Sequence, residues 1–269
     1  MMYKIIALDL DETLLNNEGQ LSQVNREVLI EAQLAGNTVV LASGRPFDGM
    51  TKLAKELQLE QHNGYISAYN GGYVYNCETK EAIFANTIPV ELAQEMTKEA
   101  ITRDIDILTY SEGTILTRRS NEWATYEGGL VDMPVFEKED MVEAINHPVN
   151  KMMFLAASED LDVVEPLIKA VFADRLQVVR SKPFFLECTM KGITKGASLD
   201  VLAKSLGYTA ENVIACGDSN NDESMIKYAG LGVAMANAND NIKNLASYEA
   251  PSNADDGVAA VVRKFMLKP

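Results

Sequence analysis

Histidine is nearly absent from this chain, with 2 among 269 residues, and both His62 and His147 sit in polar, loop-like settings. Two scattered imidazoles make neither a histidine-built zinc centre nor a histidine-centred nucleophilic triad, so both chemistries are set aside. Cysteine is scarce too. Cys77, Cys188 and Cys216 lack metal-ligand spacing and read as reduced thiols of a cytosolic protein. Positive charge is in deficit, with 24 Lys and Arg against 39 Asp and Glu and a formal net charge of -15. That balance argues against a nucleic-acid partner, because backbone phosphates bind to basic surfaces, yet it leaves room for a local cationic pocket that holds a small anion. No segment approaches the roughly 18 uninterrupted apolar residues of a membrane span, and no basic start leads into a long apolar stretch. The expectation is a soluble, cytoplasmic protein without membrane contact, a monomer or homodimer.

What the chain does contain is a globular composition, 47% hydrophobic and 23% charged, in a length that suits one large domain or two ordinary ones. Strands and amphipathic helices alternate from the start. Ser22 is placed to cap a helix carrying Val24, Val28, Leu29 and Ala32, and Gly36 stands where that helix should stop. Thr38 to Ala42 reads as a buried strand, followed by a helix through about Leu57 and a strand at Tyr65 to Ala68. Such βα steps imply a parallel sheet with right-handed crossovers. After about Ile83 the texture changes. Helices at Glu91 to Thr102, Glu122 to Gly129 and Leu161 to Phe172 alternate with short strands at 105–109, 114–117, 151–157, 177–181 and 184–188, a pattern of an α+β module with a mostly antiparallel sheet. From Thr194 the first texture returns, so the second module is read as inserted into the first, where it would make a lid. The fold class expected is α/β: a Rossmann-like parallel sheet core flanked by helices, with an inserted α+β cap.

The run Tyr3 to Leu15 is an apolar strand that ends in Asp9-Leu10-Asp11-Glu12-Thr13. Alternate residues of a strand face the same way, so Asp9 and Asp11 are expected to share one site if extended geometry persists through the pair. Such a pair suits a divalent cation, or a division of labour in which one carboxylate attacks while the other handles protons. Three further segments fall at strand ends or helix starts. Ser43 and Gly44 offer a hydroxyl and main-chain N–H groups suited to an anion, and Lys195 offers a compact positive charge for phosphate oxygens. In Gly217 to Asp222, Asp218 and also Asp222 are able to join Asp9 around a metal, and an all-oxygen set favours Mg²⁺.

Taken in order, Asp9 to Leu15, Ser43-Gly44-Arg45-Pro46, Lys195-Gly196 and Gly217-Asp218 through Asn221-Asp222 resemble the four motifs of the haloacid dehalogenase superfamily of phosphatases. The insertion, with Tyr69-Asn70-Gly71-Gly72 ahead of it, resembles the Cof-type sugar-phosphatase branch with its large α/β cap. The resemblance extends through Gly232 to Ala238 and Asp256 to Ala259. It implies a catalytic core at 1–82 and 190–269, and a substrate-selecting cap at 83–189. It also implies a phosphomonoesterase of small phosphorylated metabolites, sugar phosphates first among them, in which Asp9 forms an aspartyl-phosphate and Asp11 carries protons. Mg²⁺ would be held by Asp9, Asp218 and the main-chain carbonyl of Asp11. Leu10 N–H, Ser43, Gly44, Lys195 and Asn221 would grip phosphate, with Asp222 orienting Lys195 or a water on the metal. Arg45 would line the entrance or form a surface ion pair.

Glu12 departs from the pattern, since glycine is frequent there, and its side chain is expected to point away from the pocket. In the cap, Lys182, Glu187, Asn121 and Tyr126 are candidates to reach the substrate, while Phe184 and Phe185 read as core aromatics. A phosphomutase would also fit the motifs and would yield an isomerised ester in place of free phosphate. A phosphoryl-binding signalling module fits less well, because Asp11 as a built-in acid–base would shorten the life of its aspartyl-phosphate.

Overall fold

The computed structural model describes residues 2–267. The chain forms two compact units, one made of residues up to Ala85 together with those from Thr194 onward, the other Asn86–Ile193. In chain order the strands are β1 (Ile5–Leu8), β2 (Thr38–Ala42), β3 (Tyr65–Ala68), β4 (Tyr73–Asn76), β5 (Glu81–Ala85), β6 (Asp106–Ser111), β7 (Thr114–Thr117), β8 (Val135–Glu137), β9 (Met152–Leu155), β10 (Leu176–Lys182), β11 (Phe185–Met190), β12 (Val213–Gly217), β13 (Leu231–Met235) and β14 (Tyr248–Ala250).

The first unit is an α/β layer structure around the sheet β14-β13-β12-β1-β2-β3-β4-β5. It is parallel from β14 to β3. Helices cover both faces, which is why β1, β12 and β13 are apolar throughout and wholly buried rather than alternating. β1 is the hinge of the order: the chain goes from it to β2 on one side and, much later, to β12 on the other. Leu8 pairs with both Leu41 and Cys216, so Asp9, Ala42 and Gly217 lie one step past the same level at the carboxyl edge. A crevice opens at such a switch point in an open α/β sheet, and ligands bind there.

Two features of this unit differ from the sequence expectation. The parallel run is closed by an antiparallel hairpin, β4 and β5, packed on β3. Its alternating Tyr73-Val74-Tyr75-Asn76 lies directly after a glycine pair and is too short to stand out beside longer apolar runs. The helix after Pro46 is also broken, into a 3₁₀ turn at Asp48–Met50 and a short α-helix at Thr51–Glu56. Gly49 in that turn is a poor helix former. By contrast, Ser22 caps the Gln23–Leu34 helix by accepting from Asn25 N–H, and Gly36 follows its end at φ +82°.

The second unit is a sheet in the order β10-β11-β9-β6-β7-β8, antiparallel except for the β7–β8 pair. Alternation decides its faces. Ile107, Met152, Phe154, Leu186 and Cys188 pack with Met96, Ile168 and Phe172 of the helices Val90–Thr102 and Ser158–Phe172 in one apolar cluster.

Candidate active site

Extended geometry stops at Asp9. Beyond it, Leu10–Leu14 winds into a single π-type turn, closed by Leu14 N–H to Asp9 C=O (3.3 Å) and Leu15 N–H to Leu10 C=O (2.9 Å). Leu10 and Leu14 are fully buried and anchor it, while Glu12 turns the chain at φ 61°. The shared strand face expected for Asp9 and Asp11 therefore does not form. Asp9 is 6% exposed, whereas the Asp11 side chain is 56% exposed and held by the Arg45 guanidinium, Nη2 to Oδ1 at 2.6 Å and Nε to Oδ2 at 3.0 Å. Two parallel bonds make this forked contact firmer than an ordinary surface pair. Of the two positions expected for Arg45, the ion pair is the one formed, with Asp11 as its partner.

Lys195 opens the Lys195–Ser205 helix, capped by Thr194, and its ammonium is fully buried between two carboxylates, 2.5 Å from Asp9 Oδ1 and 2.6 Å from Asp222 Oδ1. Gly196 allows this approach: a side chain there would collide with the main chain at Ser224. Gly217 has the same role for Asp222, since a Cβ on it would lie 2.5 Å from the Asp222 Cβ. Asp222 also accepts from Asp218 N–H and Ser219 N–H through Oδ2, both at 3.0 Å, so both of its oxygens are engaged. Asp218 is held in turn by Thr13 Oγ1 at 2.9 Å and Ser219 Oγ at 2.6 Å. Carboxylate oxygens of Asp9, Asp218 and Asp222 fall within 4.8 Å of one another.

This cluster is short of positive charge. Burial pushes the Asp9 carboxyl up to about 8, against the pull of Lys195 and with Asp222 and Asp218 adding repulsion. Asp218 is raised as well, by burial first, partly offset by its bonds from Ser219 and Thr13, with Asp222 and then Glu12 raising it further. Burial works to lower Lys195, but Asp9 and Asp222 outweigh it and hold the ammonium above its usual range. Both partners of the Lys195–Asp9 pair thus favour keeping protons, Asp9 first through burial and Lys195 through its two carboxylate neighbours, and the third carboxylate, Asp218, leaves the cluster with surplus negative charge. A divalent cation would supply the missing charge. Oxygen donors at short mutual distance, with neither imidazole nor thiolate among them, fit a hard cation of the Mg²⁺ type.

Ser43 is buried, its Oγ accepting from Arg45 N–H at 3.1 Å, and Gly44 lies against the Asn70 side chain, whose atoms would be 3.2 Å from a Cβ there. Asn70 Oδ1 accepts from Asn221 Nδ2 at 3.3 Å. Ser43, Gly44 and Asn221 are thus joined through Asn70, which stands at φ 56°, a conformation that asparagine tolerates better than most residues. Asn70 and Thr13 are the site residues that the sequence reading passed over. Asn70 sits in the quoted Tyr69 to Gly72 segment, and that Asn-Gly pair was the available signal; nothing marks Thr13 apart from an ordinary turn residue.

The candidates in the second unit are engaged locally. Asn121 caps the Glu122–Val131 helix, accepting from Ala124 N–H and donating to Asp106 Oδ2. Glu187 lies 3.3 Å from Lys151, and Lys182 sits over the Tyr126 ring. Phe185 is core, as expected; Phe184 is only half-buried and packs edge-on against Tyr126 and Phe185.

A model of the haloacid dehalogenase-like hydrolases matches residues 6–262. The chain is 32% identical over 268 residues to the 5-amino-6-(5-phospho-D-ribitylamino)uracil phosphatase YcsE of Bacillus subtilis, covering 98% of this chain and 96% of that protein. A solved haloacid dehalogenase-like hydrolase from Bacteroides thetaiotaomicron is 41% identical and superposes with a TM-score of 0.93, over 97% of this chain and 99% of the other. The subclass IIB sugar phosphatase BT4131 is 25% identical with a TM-score of 0.78, over 97% and 98% of the two chains. The chain belongs to the haloacid dehalogenase-like hydrolases, among the Cof-type phosphatases.

Proposed function

We propose that the protein is a Mg²⁺-dependent phosphatase of small phosphorylated metabolites, of the sugar or sugar-alcohol phosphate class, working through an aspartyl-phosphate on Asp9. The observation that carries the reading is the buried group of Asp9, Asp218, Asp222 and Lys195, with its surplus of negative charge at the carboxyl edge of the sheet. The substrate class is supported by the relatives named above, one a sugar phosphatase and one acting on a phosphorylated ribityl chain. A cytosolic setting is supported by the three free, buried thiols.

In this reading a carboxylate oxygen of Asp9 attacks phosphorus while Asp11 gives its proton to the departing sugar oxygen. Asp11 then takes a proton from water, whose oxygen attacks the phosphoryl group and frees Asp9 and inorganic phosphate. Because Asp11 is paired with Arg45, that fork has to open or swing with the carboxylate for the proton to reach the leaving group. Lys195 holds Asp9 and the transferring oxygens, Asp222 fixes Lys195, and Ser43, Gly44, Asn221 and the Leu10 N–H bind the remaining phosphate oxygens. Asp9, Asp218 and the Asp11 carbonyl would hold Mg²⁺, which when bound would supply the charge neutralisation that lets two anions meet. Residues 86–193 select what is esterified to the phosphate.

Phosphate release from a panel of sugar, nucleotide and cofactor phosphates tests this reading. With Mg²⁺, the wild type should prefer sugar or sugar-alcohol esters, and Asp9→Asn should lose activity by about 10⁴-fold or more while keeping its fold. Retained turnover in purified Asp9→Asn would remove Asp9 from the chemistry. Equal rates across the panel would remove the substrate class.

A further inference from the structure

We propose that Asn237 is a positioning residue for the acid–base turn, holding the main chain beside Asp11 through its side-chain amide. The inference rests on the reading of Asp11 as the proton carrier. Asn237 follows β13 and is exposed, and it uses both ends of its amide. Its Nδ2 donates to the Glu12 carbonyl at 2.7 Å, and its Oδ1 accepts from Asn253 N–H at 3.1 Å. Asn253 is buried and secures the other end of the turn, its Nδ2 donating to the Leu15 carbonyl and to Asn17 Oδ1, both at 3.0 Å. The second half of the turn, Glu12–Leu15, is therefore tied at its two ends to two loops, one after β13 and one after β14, which are themselves joined by the Asn253–Asn237 bond.

Such a tie matters because of the residue it grips. Glu12 stands in the left-handed region, where a side chain is uncomfortable, and its carbonyl belongs to the Glu12–Thr13 peptide, so turning that carbonyl would change ψ of Glu12 and unseat the turn directly after Asp11. The bond from Asn237 selects the observed orientation. Arg45 fixes the Asp11 carboxylate, Asn237 fixes the main chain of the next residue, and the two restraints are independent of each other. An exposed neutral hydrogen bond adds little to global stability, whereas a displacement of about 1 Å at a reacting group costs up to about a hundredfold in rate. The expected signature is kinetic.

The test compares a sugar phosphate, the ester the enzyme turns over best, with p-nitrophenyl phosphate, whose leaving group needs no proton. Wild type, Asn237→Asp, Asn237→Ala and Asp11→Asn are assayed as full chains with Mg²⁺. Asn237→Asp keeps the acceptor for Asn253 N–H and loses the donor to Glu12 but adds a negative charge, whereas Asn237→Ala removes both bonds without charge, so a loss common to the two reports the bond proposed. Both Asn237 variants should lose about tenfold or more in kcat/KM for the sugar phosphate and less than about threefold for the aryl ester. They should also show a burst of nitrophenol, as hydrolysis of the phosphoryl-enzyme becomes the slow step. The ratio of the two substrates is taken on one preparation, so partial misfolding cancels. Equal losses on both substrates, or no loss on either, would overturn the positioning role. If Asp11→Asn itself shows no bias toward the aryl ester, the assignment of Asp11 fails and the proposal with it. If Asp11→Asn shows the bias and the Asn237 variants do not, the positioning role alone fails.

Discussion

Glu12 explains at the scale of one residue why glycine is frequent at its position. The backbone there has φ 61°, in the left-handed region that glycine enters without penalty and a side chain enters at about 1–2 kcal/mol. Against this stands the greater freedom of glycine in the unfolded chain, about 0.4–1 kcal/mol. Glu12→Gly is therefore expected to stabilise the protein by about 0.5–1 kcal/mol, which urea unfolding would register as a higher midpoint at unchanged slope. A lower midpoint would mean that the Glu12 side chain makes contacts that outweigh its backbone strain. The same turn shows where residue-level reading of the sequence stops. Asp9, Lys195 and Asp218 are legible because each interrupts an apolar strand or opens a helix with a charge that has no reason to be buried there. Thr13, Asn70 and Asn237 are polar residues in turns, where such residues normally occur; the Asn-Gly pair signals a turn at Asn70, but only hydrogen bonds give the three a place in the site.

Elements were legible in proportion to the length and purity of their pattern. β1, β2, β12 and β13 are uninterrupted apolar runs bounded by turn residues, and a sheet covered on both faces produces that text and little else. The helices at Gln23–Leu34 and Val90–Thr102 carry a clear apolar stripe. Shorter pieces left no such trace. β8 and β14 have three residues each, Met141–Ala144 is one turn of helix, and Asp240–Leu245 lies in an asparagine-rich stretch that resembles a loop. The π-type turn at Leu10–Leu14 was hidden for a different reason. It begins in a strand and is completed by contacts from Asn237 and Asn253, more than 200 positions away, so no local pattern could announce it.

At the scale of the whole molecule the acidic balance and the site point the same way. A chain with net charge -15 clusters three buried carboxylates, two of them paired with the Lys195 ammonium, and the shortage of positive charge there has a consequence for stability. Asp9 is raised from 3.8 to about 8 in the folded, metal-free protein. Between those values the folded state holds a proton that the unfolded chain has released, so metal-free stability falls as pH rises from about 4 to about 8. A bound cation competes with that proton, so Mg²⁺ should raise the thermal midpoint more at pH 8 than at pH 5.5, with EDTA reversing the gain. Stabilisation equal at the two pH values, or larger at the acidic one, would mean that the cation is not bound through Asp9.

The central claim is that Asp9 is the atom donor to phosphorus, and quenched single turnover tests it most directly. Wild type and Asp11→Asn, mixed with p-nitrophenyl phosphate and Mg²⁺, are stopped in acid within one turnover, digested and mapped by mass spectrometry. The account predicts a hydroxylamine-sensitive phosphoryl group on the peptide that carries Asp9, more abundant in Asp11→Asn and absent from Asp9→Asn. Turnover with no phosphoryl-enzyme in either, or a phosphoryl group on any other residue, would contradict it.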